Sequence, residues 1–300
     1  MAKEQSRSGT VPGGRGLPAF ARGWCDDAAV FPPGLMSLVD AVPAHLRHEA
    51  AGYAELVGPL ILAAPTVVEL APLLRDRHGR HGPLNLSVTA PAGPGQLAAV
   101  FAAVADLPVR LCAVEVAVPP AVGPGELRAA LDRALAGAGE VEVFVEVPRD
   151  ERRPEIIGLC ADAGYPAKFR TGGIRAELYP DEAELAAAIR AVVGAGVSFK
   201  ATAGLHHALR NTDPETGFEQ HGFLNLLLAT DAALCGAAPA EVTRVLAERD
   251  PEAVAGAVTE LGAGRTEAAR ALFRSFGTCS ITDPLTELIE LDLIPATVLA

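Results

Sequence analysis

The sequence predicts an α/β fold: a single (β/α)₈ barrel of the TIM type with a helical insertion between strands seven and eight. From residue 26 onward, short runs rich in Val and Ile alternate with longer Ala-, Leu-, Glu- and Arg-rich segments. This alternation is typical of βαβ units around a parallel sheet. In the middle strands one set of alternate residues is apolar and the other is small or polar, which favours a closed barrel with polar residues inside.

The strands and helices are assigned in chain order. Helical spacing is clearest in the Ala-rich segments 95–105, 125–138 and 182–193. An open doubly wound sheet, with its charged residues on exposed strand ends, is the alternative topology. The predicted strands are 28–31, 57–62, 84–89, 109–116, 141–147, 167–171, 197–202 and 275–281.

Residues 1–25 are predicted to form a flexible leader, since they are rich in Gly, Ser, Pro and Arg, and 26–300 to form the barrel. The segment 205–274 is the predicted insertion, either a cap over the barrel mouth or an oligomer contact. Its predicted helices are 223–235, 240–249, 251–261 and 266–273.

Composition excludes several classes of partner. The chain has 37 acidic and 25 basic residues, and its net charge of -12 repels nucleic acid and anionic membrane surfaces. Its most apolar stretch, 56–68, is interrupted by Pro59 and Pro65 and cannot span a bilayer as a continuous helix. The five cysteines are scattered singly, which fits reduced thiols, and the first residues lack the apolar run of a signal peptide. We therefore expect a cytoplasmic protein.

Two lysines form the strongest candidate site. Lys168 and Lys200 both lie on the inward set of alternate residues, on the sixth and seventh predicted strands. Burial and repulsion from a neighbouring cation lower the pKa of a lysine, and the free amine can then attack a carbonyl to form a Schiff base. The alternative is that Lys168, Arg170 and Lys200 neutralise Glu115, Glu142 or Glu146 in a buried ion network, or grip an anionic ligand without a covalent bond.

The segments around these lysines resemble the last three barrel strands of deoxyribose-phosphate aldolase, a class I aldolase. They read Ala-Lys-Phe-Arg-Thr-Gly-Gly at 167–173, Phe-Lys-Ala-Thr-Ala-Gly at 199–204 and Arg-Ser-Phe-Gly-Thr-Cys-Ser at 274–280. The resemblance implies that Lys168 is the Schiff-base lysine and Lys200 the activating lysine. It also implies a phosphate-binding turn at Gly277, Thr278 and Ser280.

The chain also departs from that family. Glu115 stands where the family has an aspartate, Arg170 stands where a small hydroxyl residue is usual, and the long insertion is foreign to the family. A deoxyribose-phosphate substrate therefore does not follow from the resemblance.

Carboxylates near the predicted mouth are candidates for proton transfer. Glu115 and Glu146 are the candidate general acid and base, with charge balance for the lysines as their alternative role. Asp26 and Asp27 could face the pocket or cap a turn. A metal site built from these aspartates with His206, His207 and His221 is a minor alternative, because the histidines lack a ligand spacing. We expect no metal and no cofactor.

The sequence thus predicts a class I, metal-independent lyase or aldolase acting on a small carbonyl compound that bears a carboxylate or phosphate. A non-covalent isomerase or decarboxylase that stabilises an enolate is one alternative, and a non-catalytic barrel that binds an anionic metabolite is another. A homo-oligomer is possible. The predicted catalytic residues are Lys168, Lys200, Glu115 and Glu146, and the predicted substrate-binding residues are Arg170, Thr171, Gly172, Gly173, Thr202, His206, His207, Gly277, Thr278 and Ser280.

Overall fold

A computed structural model describes residues 16–74 and 82–299. Its strands are β1 (Cys25–Asp27), β2 (Val57–Ala63), β3 (Leu84–Ala90), β4 (Val109–Ala117), β5 (Glu142–Glu146), β6 (Ala167–Arg170), β7 (Phe199–Thr202), β8 (Asn211–Thr212), β9 (Glu219–Gln220) and β10 (Phe273–Thr278). Eight of them form a closed parallel barrel in the order β1, β10, β7, β6, β5, β4, β3, β2, and β8 pairs with β9 as a separate hairpin. The predicted (β/α)₈ barrel is confirmed.

Helices follow the barrel strands and cover the outside of the barrel. Several begin at capping side chains that accept hydrogen bonds from the first turn, such as Ser37, Asp181 and Asp250. They are α1 (Leu38–Glu49), α2 (Leu70–Leu74), α3 (Leu97–Val104), α4 (Pro124–Leu135), α5 (Arg153–Ala163), α6 (Glu182–Gly194), α7 (Phe223–Leu234), α8 (Pro239–Ala247), α9 (Pro251–Glu260), α10 (Gly262–Leu272) and α11 (Thr282–Glu290). Short 3₁₀ helices lie at Ala19–Ala21, Ala54–Leu56, Ala64–Glu69, Pro94–Gln96, Ala176–Leu178 and Ala296–Leu299.

The first strand lies earlier than the sequence predicts. The prediction of a strand at 28–31 is wrong, because the strand is Cys25–Asp27 and the apolar run follows its end. Asp26 and Asp27 are both buried within this short strand, and buried charges are rare in strands unless they are paired. Because of these two aspartates, the sequence pattern does not predict a strand here. The strand ends at Asp27, so Phe31 lies in the loop after it and lines the barrel mouth.

The barrel also begins before the predicted boundary. Of the predicted leader, residues 1–15 lie outside the described residues, whereas Leu17, Ala21 and Trp24 are buried. Trp24 makes edge contacts with Phe223, Phe273 and Phe276. Leu17, Ala21 and Trp24 thus pack against the barrel, whereas Ala19, Arg22 and Gly23 are exposed.

The predicted insertion contains the seventh helix of the barrel. Helix α7 packs against α6 and β10, and its residues 223–231 are all buried because α8 and α10 cover its outer side. The Phe223 ring stacks on the Phe276 ring with 4.5 Å between the ring centroids, and this contact fixes α7 to the last barrel strand. Among the residues that the structure describes, 207–276 contribute nothing to the wall of the mouth cavity, so this segment thickens the outer helical layer.

Register places the predicted inward residues together. Lys168 of β6 is level with Lys200 of β7, and Glu146 of β5 is level with Lys168. Because side chains alternate along a strand, these groups point into the barrel while the intervening apolar residues meet the helices. Within the described ranges, none of the helices is both long and apolar enough to cross a membrane.

Candidate active site

An ion network fills the centre of the barrel. Lys200 Nζ lies 2.5 Å from Asp26 Oδ2 and 2.6 Å from Glu115 Oε1. Lys168 Nζ lies 3.0 Å from Glu115 Oε2 and 3.0 Å from Glu146 Oε2. Glu115 therefore joins the two ammonium groups, one on each carboxylate oxygen.

Hydrogen bonds extend this network to both ends of the barrel. At the mouth, Arg170 Nε lies 3.3 Å from Glu146 Oε1. Deeper in the barrel, Ser87 donates a hydrogen bond of 2.8 Å to Glu115, and Ser275 donates one of 2.8 Å to Asp26. Three cations thus face three carboxylates, and the formal charges of the network cancel.

Both lysines are held as ammonium ions. Burial by itself would lower the pKa of Lys168, but the negative charges of Glu146 and Glu115 outweigh burial and raise it. In the same way Asp26 and Glu115 raise the pKa of Lys200 against the effect of burial. The prediction of a lowered lysine pKa is wrong, because a carboxylate lies between the two cations. The buried ion network proposed as the alternative is what the barrel contains.

The three carboxylates differ in their pKa values. Burial would raise the pKa of Glu115, but Lys200 and Lys168 hold it well below its usual range. Lys168 lowers the pKa of Glu146, which lies nearer to the mouth and is partly exposed. Burial raises the pKa of Asp26 despite the contact with Lys200. Glu146 is thus the carboxylate best placed to exchange a proton with a ligand or with water.

A cavity of about 350 Å³ opens at the carboxyl ends of the barrel strands. This is the end at which TIM barrels carry their active sites. Lys168, Glu115 and Glu146 line it, and Lys200 does not. Its wall is formed by Ala28, Phe31, Pro32, Ile61, Ala63, Thr89, Pro91, Glu115, Glu146, Lys168, Arg170, Gly173, Ile174, Leu178, Thr202, Ala203, His206, Gly277 and Cys279.

A second cavity, of about 520 Å³, opens at the amino ends of the strands. Lys200 and Asp26 line this one, and Lys200 Nζ lies 5.3 Å from the centroid of the Phe144 ring. Arg22, Arg270 and Arg274 also contribute to its wall. The two lysines therefore belong to cavities at opposite ends of the barrel.

The predicted substrate-binding residues divide into two groups. Those that line the mouth cavity are Arg170, Gly173, Thr202, His206 and Gly277. Those that lie outside its wall are Thr171, Gly172, His207, Thr278 and Ser280.

The hydroxyl groups of the second group serve the backbone. Thr171 donates to the carbonyl oxygen of Ala203 at 2.7 Å, and Thr278 donates to that of Ser280 at 3.0 Å. Ser280 in turn accepts a hydrogen bond of 3.2 Å from the Asp283 N–H at the start of α11. These contacts fix the turns after β6 and β10, and a ligand role for the three hydroxyl groups stays a prediction.

Each of the three histidines named for the alternative metal site has another partner in the structure. His221 makes a 2.8 Å hydrogen bond with the carbonyl oxygen of Pro180, and burial lowers its pKa to about 4. His207 Nδ1 lies 2.6 Å from Glu287, which raises the pKa of His207. Over residues 16–74 and 82–299, no group of three or more His, Cys, Asp and Glu side chains is arranged to hold a metal ion.

His206 differs from the other two histidines because it lines the mouth cavity. Its Nδ1 lies 3.2 Å from Cys279 Sγ, and burial lowers its pKa. His206 is therefore neutral near pH 7 and adds no positive charge to the cavity.

Two features of the site were not predicted from the sequence: the place of Asp26 in the ion network, and the small number of lysines in the chain. The misplaced first strand hid the inward position of Asp26, which alternation along Cys25–Asp27 would have shown. Of the 25 basic residues only three, Lys3, Lys168 and Lys200, are lysines, so two of the three lie inside the barrel. That count was available from the sequence.

Comparison with solved structures gives one similarity that bears on the fold. Deoxyribose phosphate aldolase from Aeropyrum pernix matches with a TM-score of 0.51 and 14% sequence identity, over 91% of this chain and 92% of that chain. The chain resembles that aldolase in fold. The similarity agrees with the resemblance seen around Lys168 and Lys200, and at this identity it extends to the fold alone.

The other comparisons add no functional information. The carboxyl transferase domain of Rhizobium etli pyruvate carboxylase matches with a TM-score of 0.46 and 16% identity, over 82% of this chain and 41% of that chain. A similarity at that level supports no conclusion about this protein. No protein-family model matches the sequence, and no curated protein sequence matches it.

Proposed function

We propose that this protein is a class I aldolase or related lyase in which Lys168 forms a Schiff base with a small carbonyl compound. The observation that carries the proposal is the place of the Lys168 amine, in the wall of the mouth cavity and between Glu115 and Glu146. An arginine would pair with two carboxylates at least as well, but only a lysine offers an amine nucleophile. Lysine inside the barrel of a chain that otherwise uses arginine supports amine chemistry.

The first step is a proton transfer. Lys168 is an ammonium ion at neutral pH, so its proton must pass to Glu146 or to water before the amine can react. The nitrogen lone pair then adds to the carbonyl carbon, and one proton passes from the nitrogen to the oxygen. Glu146 or water returns the proton that it took, and the oxygen leaves as water. The product is an iminium ion.

The ion network suits this product. The iminium carries the same positive charge as the ammonium it replaces, so Glu115 and Glu146 stabilise both. When the bond between the α- and β-carbons breaks, the β-hydroxyl gives its proton to Glu146 or to water and becomes a carbonyl group. The electron pair of the broken bond moves into the iminium and gives a neutral enamine. Lys200 keeps Glu115 ionised and in place, and this is its proposed role instead of lowering the pKa of Lys168.

One observation favours a second function. Because the pKa of Lys168 is raised, the residue is a stable cation at the cavity wall, and a cation can stabilise an enolate without a covalent bond. An isomerase or decarboxylase would use the site in this way. Lys168→Arg separates the two functions, since arginine keeps the charge and cannot form an iminium.

The test is reductive trapping. The full chain is incubated with small aldehydes, ketones and 2-oxo acids plus cyanoborohydride, and the adduct is located by peptide mass spectrometry. We expect an adduct on Lys168 in the wild type and none at position 168 in Lys168→Arg, while Lys200→Arg still forms the Lys168 adduct. Lys3 and the terminal amine report non-specific labelling in every sample.

The same samples give the opposing results. Labelling confined to Lys3 and the terminal amine, in a protein whose melting curve shows it folded, would reject the Schiff base. Turnover retained by Lys168→Arg would support the enolate mechanism, and binding without turnover in either protein would support a non-catalytic barrel.

Three further expectations stay proposals. The Aeropyrum pernix aldolase is described as a tetramer, which supports the proposal that this chain forms a homo-oligomer. The scattered cysteines support a cytoplasmic location. The predicted phosphate or carboxylate on the substrate would have to compete with Glu146 for Arg170 at the mouth.

A further inference from the structure

The turn at Gly172 and Gly173 after β6, two of the predicted substrate-binding residues, is packed against side chains of the protein itself. A Cβ added at Gly172 would come within 2.6 Å of the Tyr179 ring, and one added at Gly204 would come within 2.8 Å of it. Leu178 covers Gly173 in the same way, at 2.5 Å. These glycines are therefore explained by the close packing of Tyr179 and Leu178.

Hydrogen bonds and ring contacts hold Tyr179 over the glycines. Its hydroxyl donates a 3.0 Å hydrogen bond to the carbonyl oxygen of Gly173. Its ring contacts that of Phe218 in the β8–β9 hairpin, with 5.4 Å between the centroids. The space next to the Gly172–Gly173 turn is thus filled by an anchored aromatic ring.

The mouth cavity carries no surplus of positive charge. Within the described part of the chain, its cations are Lys168 and Arg170, and each is paired with a carboxylate. The carboxylates in the same wall are Glu115 and Glu146, so the formal charges of the lining residues cancel. A phosphate group would have to displace one of these pairs, and the net charge of -12 on the chain opposes its approach.

Most of the remaining wall is apolar. Phe31 and Ile61 face the charged floor together with the proline side chains of the loops after β1 and β3. Ile174 of this wall is 73% exposed, and Leu35, in the loop after β1, is 69% exposed. Large apolar side chains left in water around a concave pocket are typical of a binding site for apolar groups.

We propose that the ligand of the mouth cavity is an uncharged carbonyl compound with an apolar chain or ring, and not a phosphorylated sugar. The carbonyl group in this statement rests on the proposed function. The preference for an uncharged, apolar ligand rests on the apolar wall, the filled glycine turn and the balanced charges.

The test uses ligands that cannot form a Schiff base. Hexanamide and hexanoate have nearly the same shape and differ in charge, and inorganic phosphate represents the phosphate group alone. Calorimetric titration of the full chain at pH 7 should show saturable binding of hexanamide and binding of hexanoate at least about tenfold weaker, because a carboxylate would be desolvated without a free cation. Phosphate should not bind.

A matched pair of variants places the site. Ile174→Asp adds a charge to the cavity wall at an exposed position and should weaken hexanamide binding by about tenfold through the loss of apolar contact. Leu234→Asp makes the same change at an exposed position on α7, outside the cavity wall, and should leave binding unchanged. The proposal is overturned if hexanoate or phosphate binds as well as hexanamide, if hexanamide does not bind, or if the two variants behave alike.

A trapping experiment separates this inference from the proposed function. Hexanal and glyceraldehyde 3-phosphate are compared with cyanoborohydride, and the concentration that half-saturates Lys168 labelling is measured for each. Hexanamide binding without any Lys168 adduct from hexanal would reject the Schiff base and leave the ligand class standing. Equal half-saturation by the two aldehydes would support the Schiff base and reject the ligand class.

Discussion

The two buried lysines lie level with each other on neighbouring strands, yet they belong to opposite ends of the barrel. Lys168 lines the mouth cavity, and Lys200 lines the cavity at the amino ends of the strands. Glu115 lies between them and binds one ammonium group with each oxygen. The difference shows that an inward position on a strand does not by itself make a lysine reachable by a ligand at the mouth.

The residues that line the cavity at the amino end indicate a structural role for that end. At the amino end the arginine side chains are already used by the protein: Arg274 pairs with Glu142 at 2.7 Å, and Arg270 donates to the carbonyl oxygen of Phe20 at 2.7 Å. Arg270 also lies 4.9 Å from the Trp24 ring. In TIM barrels the amino end serves stability and the carboxyl end serves chemistry. We therefore expect changes near Lys200 to affect mainly folding and changes near Lys168 to affect mainly reactivity.

Glu115 should be the most sensitive position for stability. Glu115→Gln leaves two buried ammonium ions to share the remaining carboxylates, and breaking a buried pair in this way costs about 3–5 kcal/mol. Glu142→Gln breaks the ion pair between Glu142, whose side chain is 33% exposed, and Arg274, whose side chain is 43% exposed. Losing this exposed pair should cost about 1 kcal/mol or less. Urea unfolding of both variants at pH 7 measures the difference.

The matched variants can contradict the view of Glu115 as the central counter-ion. Equal loss of unfolding free energy in Glu115→Gln and Glu142→Gln would mean that the buried network does not depend on this carboxylate. A triple change, Glu115→Gln with Lys200→Met and Asp26→Asn, removes one buried cation together with its remaining carboxylate and should recover part of the lost stability.

The barrel and the inward lysines could be predicted because they depend on alternation, which is local. The positions of Lys168 and Glu115 follow from the period of two in their strands. The pKa of Lys168 could not be predicted, because it depends on which charge lies nearest across the barrel. The sequence suggests Lys200 as that neighbour, and the nearest groups are instead the carboxylates of Glu115 and Glu146.

The turn at Gly172 and Gly173 shows a second limit on what can be predicted from the sequence. Gly172 and Gly173 have the composition of a phosphate-binding turn, and glycines are equally required where a side chain packs directly on the backbone. The residue that distinguishes the two cases, Tyr179, is six residues after Gly173 and carries no signal of its own in the sequence.

The two adjacent aspartates of β1 point to opposite faces of the barrel wall. Asp26 points inward to Lys200, while Asp27 lies 3.0 Å from His45 Nδ1 on α1. Burial would lower the pKa of His45, but the contacts of its ring nitrogens with the carboxylates of Asp27 and Glu49 outweigh burial and raise the pKa to about 9. Because an unfolded histidine titrates at about 6.5, these contacts of His45 contribute up to about 3 kcal/mol. That stability is fully present below about pH 6.5 and is lost as the pH rises through about 9.

Urea unfolding at pH 6 and pH 9.5 tests this. The wild type should lose more unfolding free energy between these pH values than His45→Gln, which lacks the titrating group. Other groups titrate in the same range in both proteins, so the difference between them isolates His45. Parallel pH profiles would mean that the Asp27–His45 pair adds no stability, and would leave the Asp26–Lys200 pair to anchor β1.

The smallest effect is the dependence of Lys168 labelling on pH, and it bears directly on the difference between the two lysines. The amine reacts only when it is deprotonated, and the pKa of Lys168 is raised above its ordinary value. The rate of trapping by an aldehyde should therefore rise about tenfold for each pH unit from pH 6 to pH 8. The rate at which cyanoborohydride reduces a preformed small-molecule imine, measured over the same pH range, corrects for the pH dependence of the reagent. A rate that is level over this range would show that a carbonyl ligand lowers the pKa of Lys168 on binding. Labelling of Lys200 at a comparable rate would show that Glu115 does not separate the two ends of the barrel.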